Sequence, residues 1–128
     1  MVRILLIAAG GAIGTVFRYI LSGIDYKLSS GIFPVSTIIV NLTGSFIIGL
    51  FWGLCEYSAI SSNIRMFIFI GLLGGFTTFS TFCLENFNLI RDGELKIAVW
   101  NVILSNVLGI VLVFVGFFLS RYLVGLFK

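Results

Sequence analysis

Four long apolar runs, at about residues 4–22, 34–54, 65–90 and 97–120, account for most of this sequence and leave only short polar connections between them. A helix that crosses a hydrocarbon core about 30 Å thick uses roughly 20 residues, so the runs supply four crossings and no second domain. The chain of 128 residues is 59% hydrophobic and 10% charged, with a mean hydropathy of +1.19. Its solvent is lipid, where every backbone polar group must be satisfied internally. Residues 1–128 therefore read as one transmembrane domain, an all-α integral membrane protein of four helices in the inner (plasma) membrane. The first run reads as a retained helix and not a cleaved signal, because Arg18 lies inside it and no small-x-small site precedes a polar sequence.

Several function classes fall away at once. The sequence has no histidine, which removes the commonest general base and metal ligand, so hydrolytic or metal-centred enzyme chemistry is not expected. Cys55 and Cys83 sit in apolar sequence without ligand spacing and read as small packing residues. The net charge of +3 comes from basic residues scattered at the edges of the runs, which suits a membrane interface and not nucleic acid.

Four crossings put both termini on one side. The first connection, Gly23 to Phe33, carries Asp25, Lys27, Ser29 and Ser30, and Pro34 suits the first turn of the next helix. The second and third connections, Glu56 to Asn63 and Arg91 to Lys96, are short, which predicts helices packed beside their sequence neighbours. Arg3, Arg65, Arg121 and Lys128 fall near the face of the termini; Lys27, Arg91, Lys96 and Arg18 fall toward the other. Insertion direction follows the Lys/Arg bias of short loops, so a balanced chain has little reason to prefer one orientation. The expectation is insertion both ways and an antiparallel, dual-topology homodimer, against a single orientation set by weaker signals.

The third run holds the most informative stretch, Gly71-Leu-Leu-Gly74-Gly75-Phe76-Thr77-Thr78-Phe79-Ser80-Thr81-Phe82-Cys83-Leu84-Glu85. Adjacent glycines followed by β-branched threonines are poor helix formers, so a break is predicted near Thr77 and Thr78, at the middle of the bilayer. Non-helical backbone at that depth needs protein or a water-filled cavity to receive its polar groups. In an antiparallel dimer two such breaks meet, and their carbonyls suit a hard cation such as sodium. The alternative is a small-residue packing groove with the threonine hydroxyls bonded back to their own helix.

Beyond the break, Phe79 and Phe82 are three residues apart, beside a polar stripe of Thr78, Thr81 and Glu85. A ring edge carries positive partial charge and attracts an anion without the grip of a fixed cation, while the hydroxyls of Ser80 and Thr81 replace part of its water shell. On the second run, Asn41 stands in the hydrocarbon beside Gly44 and Ser45, either as interhelical glue or as an N–H donor to an anion. Asn101, Ser105 and Asn106 on the fourth run have the same two roles open. On the first run, Gly10-Gly11-Ala12-Ile13-Gly14 permits close helix contact, and Arg18 either snorkels or adds positive potential to an anion vestibule. Glu85 is the carboxylate well inside a run, placed to pair within the bundle.

Gly10-Gly11 through Arg18, Asn41 with Gly44, and Gly74-Gly75-Phe76-Thr77-Thr78-Phe79-Ser80-Thr81-Phe82 followed by Glu85 closely resemble the Fluc (CrcB-like) family of microbial fluoride channels. The match covers essentially the whole chain, and the third run is its specific part. The resemblance implies a dual-topology homodimer with two antiparallel fluoride pathways around a central, structural sodium ion at the dimer interface. By motif, the backbone carbonyls of Gly74 and Thr77 would hold the sodium. Asn41, Phe79, Ser80, Thr81 and Phe82 would line the route, with Arg18 near its mouth and Glu85 beside it. Ile110 follows Gly109 where some relatives carry serine, so no pathway residue is assigned on the fourth run there.

The function expected is passive, selective fluoride export that protects the cell from fluoride toxicity. The alternatives are a proton-coupled exporter of organic cations and a membrane adaptor without transport. The exporter calls for an acidic residue facing a central cavity, typically in the first helix, which here has Arg18 instead. The adaptor leaves the glycine, threonine and phenylalanine pattern without a reason.

Overall fold

The computed structural model describes residues 1–23, 33–57 and 59–126. The central part of the first connection, with Asp25, Lys27, Ser29 and Ser30, lies outside the described residues, as does Lys128. Four helices are long and apolar enough to cross a membrane: Val2–Ser22, Val35–Tyr57, Ser62–Arg91 and Leu95–Leu126. The first and second are continuous helices, α1 (Val2–Ser22) and α2 (Val35–Tyr57). Pro34 stands one residue ahead of α2 and not within its first turn. Its carbonyl accepts from the Ile38 N–H at 3.3 Å, which starts the helical ladder at a residue that has no N–H to leave unpaired.

The third span is composite. A short α3 (Ser62–Arg65), begun by Ser61 Oγ accepting from the Ile64 N–H at 3.4 Å, leads into a wider π-helical segment, Met66–Leu73, and then into a single turn, α4 (Gly74–Phe76). After two extended residues the span resumes as α5 (Phe79–Arg91). Gly93, at φ +85°, then ends α5 with a glycine-based cap: Gly93 N–H bonds the Ile90 carbonyl and Glu94 N–H the Leu89 carbonyl. The Glu94 carbonyl at once accepts from Ala98 and opens α6 (Leu95–Leu126). This tight reversal sets α5 and α6 against each other.

The most extensive packing does not follow sequence order. α1 lies on the first half of the third span, and α2 lies on α6, whereas α1 and α2 touch little. Short connections predicted neighbours, but the glycines decide the partners. At Gly14 an added Cβ would strike the Leu72 carbonyl, and at Gly49 the Val113 carbonyl, so in each pair two backbones are in direct contact. In lipid, where burying apolar side chains gains little, such close approach is what holds helices together.

Candidate functional site

The third span breaks near its midpoint at Thr77 (φ −77°, ψ 158°) and Thr78 (φ −147°, ψ 120°), both extended. The preceding glycines are helical and not unwound. Gly75 sits where a Cβ would meet the Gly11 backbone, so it serves packing, and the β-branched threonines take the extended conformation that suits them. Thr77 stays tied to the turn before it, its N–H and Oγ1 both reaching the Leu73 carbonyl, at 2.9 and 2.8 Å. Thr78 belongs to the helix after it. Its Oγ1 caps α5 by accepting from the Thr81 N–H at 3.3 Å and donates to Thr81 Oγ1 at 3.0 Å.

Side chains of α1 and α2 receive the exposed backbone. Asn41 Nδ2 donates to the Thr78 carbonyl at 3.0 Å, and Asn41 Oδ1 accepts from the Thr78 N–H at 2.9 Å. In a continuous helix that N–H would serve the Gly74 carbonyl, which is thereby released from its helical bond. Arg18 Nη1 lies 3.4 Å from the Thr77 carbonyl, so the guanidinium turns inward to the break and does not snorkel to the interface. One turn before Asn41, the buried Thr37 donates to Glu85 Oε1 at 2.6 Å. Thr37 and Asn41 thus hold the break and the half-span after it from one face of α2.

Two cavities share Thr78 as a wall. One, of about 350 Å³, is lined by Asn41, Thr77, Phe79, Phe82, Ser105 and Asn106, with Gly74 at its edge; no charged side chain lines it. The other, of about 330 Å³, is lined by Arg18, Ser36, Thr37, Val40 and Thr81. The rings of Phe79 and Phe82 lie 5.9 Å apart at 33°. Phe82 is 8% exposed and Phe79 76%, so one ring is held inside the bundle and the other stands on its outer face.

The structure thus brings Asn41, Phe79 and Phe82 to one cavity, with Gly74 and Thr77, and sets Thr81 and Arg18 on the other. Ser80 lines neither; like Thr81 and Gly74 it is exposed. Glu85 lines neither and is joined to the second cavity through Thr37. Asn101 is fully buried and donates to Asn86 Oδ1 at 3.2 Å, while Ser105 donates to Asn101 Oδ1 at 3.2 Å, so these groups bind α6 to α5. Asn106 is exposed and bonds the Val102 carbonyl of its own helix at 2.7 Å. The fourth helix meets the first cavity through Ser105 and Asn106, one turn before Ile110, which is exposed. Both cysteines are free, Cys55 half-buried and Cys83 exposed. Two roles escaped sequence reasoning: Thr37 as the partner of Glu85, and Thr78 as the cap of α5. Their signals were a Ser-Thr pair one turn before Asn41 and the helix-start pattern Thr78-x-x-Thr81.

Comparison with known proteins assigns the chain as a whole to a family. The sequence model of the CrcB-like protein, Camphor Resistance (CrcB) family matches residues 5–117. The chain belongs to the CrcB-like family. Among its relatives is a fluoride-specific ion channel FluC of Parabacteroides distasonis, 41% identical over 128 residues and all of both chains. Another, of Citrifermentans bemidjiense, is 44% identical over 127 residues, covering 96% of this chain and all of the relative. A third, of Shewanella amazonensis, is 45% identical over 116 residues, 91% of this chain and 94% of the relative. As a CrcB-like protein with four long apolar helices, it is a multi-pass protein of the cell membrane.

Proposed function

We propose that this protein is a fluoride-selective channel, and not an enzyme, that lets fluoride leave the cell passively down its electrochemical gradient and so protects against fluoride toxicity. The observation that carries this reading is the uncharged cavity at the break, where the Asn41 amide and the Phe79 and Phe82 rings surround the start of α5. The first N–H groups of a helix have no partner within it and make its positive end, so α5 begins with donors directed at the break. An amide donates two hydrogens, and Asn41 uses one on Thr78, which leaves the second for an anion. Donors of this strength replace part of the hydration shell of a small anion and still release it, as conduction requires. In this reading Asn41, Phe79 and Phe82 line the route at the first cavity and Thr81 continues it at the second, with Ser80 exposed beyond both, Arg18 supplying positive potential beside the break and Glu85 steadying the wall through Thr37. The names of the relatives add the anion: each is a fluoride-specific channel.

The working unit in this reading is an antiparallel homodimer. Gly74, Ser80, Thr81 and Asn106 leave polar groups exposed on the surface of a single chain, a costly arrangement against lipid that a second copy relieves. The near balance of Lys and Arg on the two faces agrees with insertion in both orientations. The released Gly74 carbonyl and the Thr77 carbonyl, at the negative end of the first half-span, are oxygen ligands suited to a hard cation. A structural sodium would be held by these carbonyls together with the same pair from the second copy, and would supply fixed positive charge to the interface.

The test is fluoride efflux from liposomes that contain only this protein. Rapid loss of fluoride with little loss of chloride is the expected result. Efflux no faster than from empty liposomes, with folded protein, rejects the channel.

A further inference from the structure

We propose that the end of the bundle where α2 and α6 meet binds a net-anionic phospholipid, its acyl chain in an apolar groove and its phosphate between Arg65 and Arg121. The groove, of about 560 Å³, runs between α2 and α6, walled by Ile48, Trp52, Val113, Phe114 and Phe117, with Glu56 at its rim. Two of its walls carry a guanidinium each. Arg65 Cζ lies 5.7 Å from the centre of the Trp52 ring, and Arg121 Cζ lies 5.9 Å from that of Phe117 and 5.8 Å from that of Tyr57. Trp52 is itself braced edge-on by Phe69, with ring centres 5.8 Å apart.

Cation–π contact holds each guanidinium near its ring without using the N–H groups. Among the described residues neither guanidinium makes a hydrogen bond or ion pair, whereas at the opposite end of the bundle the Arg91 side chain is paired with Asp92 at 3.1 Å. The planar N–H forks therefore remain for phosphate oxygens, which they match two at a time. Tryptophan and tyrosine beside them mark headgroup depth, so the groove descends from the interface into the acyl region. Charge selects the headgroup. Two arginines against the Glu56 carboxylate leave one uncompensated positive charge, which a net-negative lipid balances and a zwitterion does not.

The test uses Trp52 as its reporter, in Trp100→Phe protein that otherwise keeps every residue, reconstituted with brominated lipids that quench indole on contact. At equal mole fraction, brominated phosphatidylglycerol is expected to quench Trp52 with an apparent affinity about fivefold above brominated phosphatidylcholine, the ratio that one net charge at a membrane surface provides. Arg65→Gln with Arg121→Gln should remove the preference, and Arg65→Lys with Arg121→Lys should retain part of it. Equal quenching by both lipids, or a preference for brominated phosphatidylethanolamine, whose ammonium would pair with Glu56, overturns the proposal. Absence of quenching by every lipid also overturns it, since it means that protein covers the groove.

Discussion

The side-chain amide of Asn41 spans the peptide groups on both sides of the Thr78 α-carbon, donating to its carbonyl at 3.0 Å and accepting from its N–H at 2.9 Å. One side chain from α2 thereby replaces the Gly74 carbonyl that the Thr78 N–H loses where the third span is broken, and adds a bond to the carbonyl of the residue that opens α5. The two roles left open for this asparagine are compatible. It joins two helices, and its second amide hydrogen is still available at the cavity.

Asn41→Asp keeps the acceptor for the Thr78 N–H but sets a carboxylate oxygen against the Thr78 carbonyl and a negative charge at the cavity proposed as the anion's route. Fluoride efflux is expected to fall by at least about tenfold, since repulsion between like charges in a cavity shielded from water exceeds that in bulk. A fluoride electrode reading unchanged efflux would take Asn41 out of the pathway.

Removal of the α5 cap has a separable effect. Thr78→Ala loses the hydroxyl that accepts from the Thr81 N–H and should cost about 1 kcal/mol, whereas Thr78→Ser retains the bond and most of the stability. Thermal unfolding in detergent, followed by light scattering, reads the difference; equal melting of the two variants would contradict the capping role.

Gly14 and Gly11 are close in sequence and differ in space. A Cβ at Gly14 would collide with the Leu72 carbonyl, while at Gly11 the nearest contact is the Gly71 carbonyl at 3.9 Å. Gly14→Ala is therefore expected to destabilise the chain by about 1–3 kcal/mol, and Gly11→Ala to be close to neutral. The melting temperatures of the purified variants provide the comparison, and similar values for the two would mean that α1 does not pack on the third span as described.

Arg18→Gln removes the positive charge from the second cavity and keeps a side chain able to donate to the Thr77 carbonyl. Fluoride efflux should drop by several-fold at low ionic strength and by less at high, because salt screens what a fixed charge contributes. A deficit that does not vary with salt would assign Arg18 to structure alone.

Reporter fusions at the C-terminus test the dimer. Both a cytoplasmic and an external reporter should be active in the same cells, as insertion in two orientations requires. Activity of one reporter alone would rule out the antiparallel assembly.

How far the sequence could be read depended on whether a signal was local. The four spans, the break at Thr77 and Thr78 and the residues around it were legible, because hydropathy, β-branching and a polar side chain among apolar ones each act within a few residues. The partner of each helix was not. Short connections suggested neighbours, yet contact follows where Gly14 and Gly49 let one backbone meet another, a property of two surfaces at once. The π-helical winding of Met66–Leu73 has no signal in those eight residues that we can identify.

Asn41 shows the same division at a single side chain. That it needed a polar partner in the hydrocarbon followed from composition alone, since an unpaired amide in lipid is costly. That the partner is the backbone of Thr78, with Thr37 one turn away holding Glu85, was decided by the fold, because only packing brings residues 37 positions apart to 3 Å.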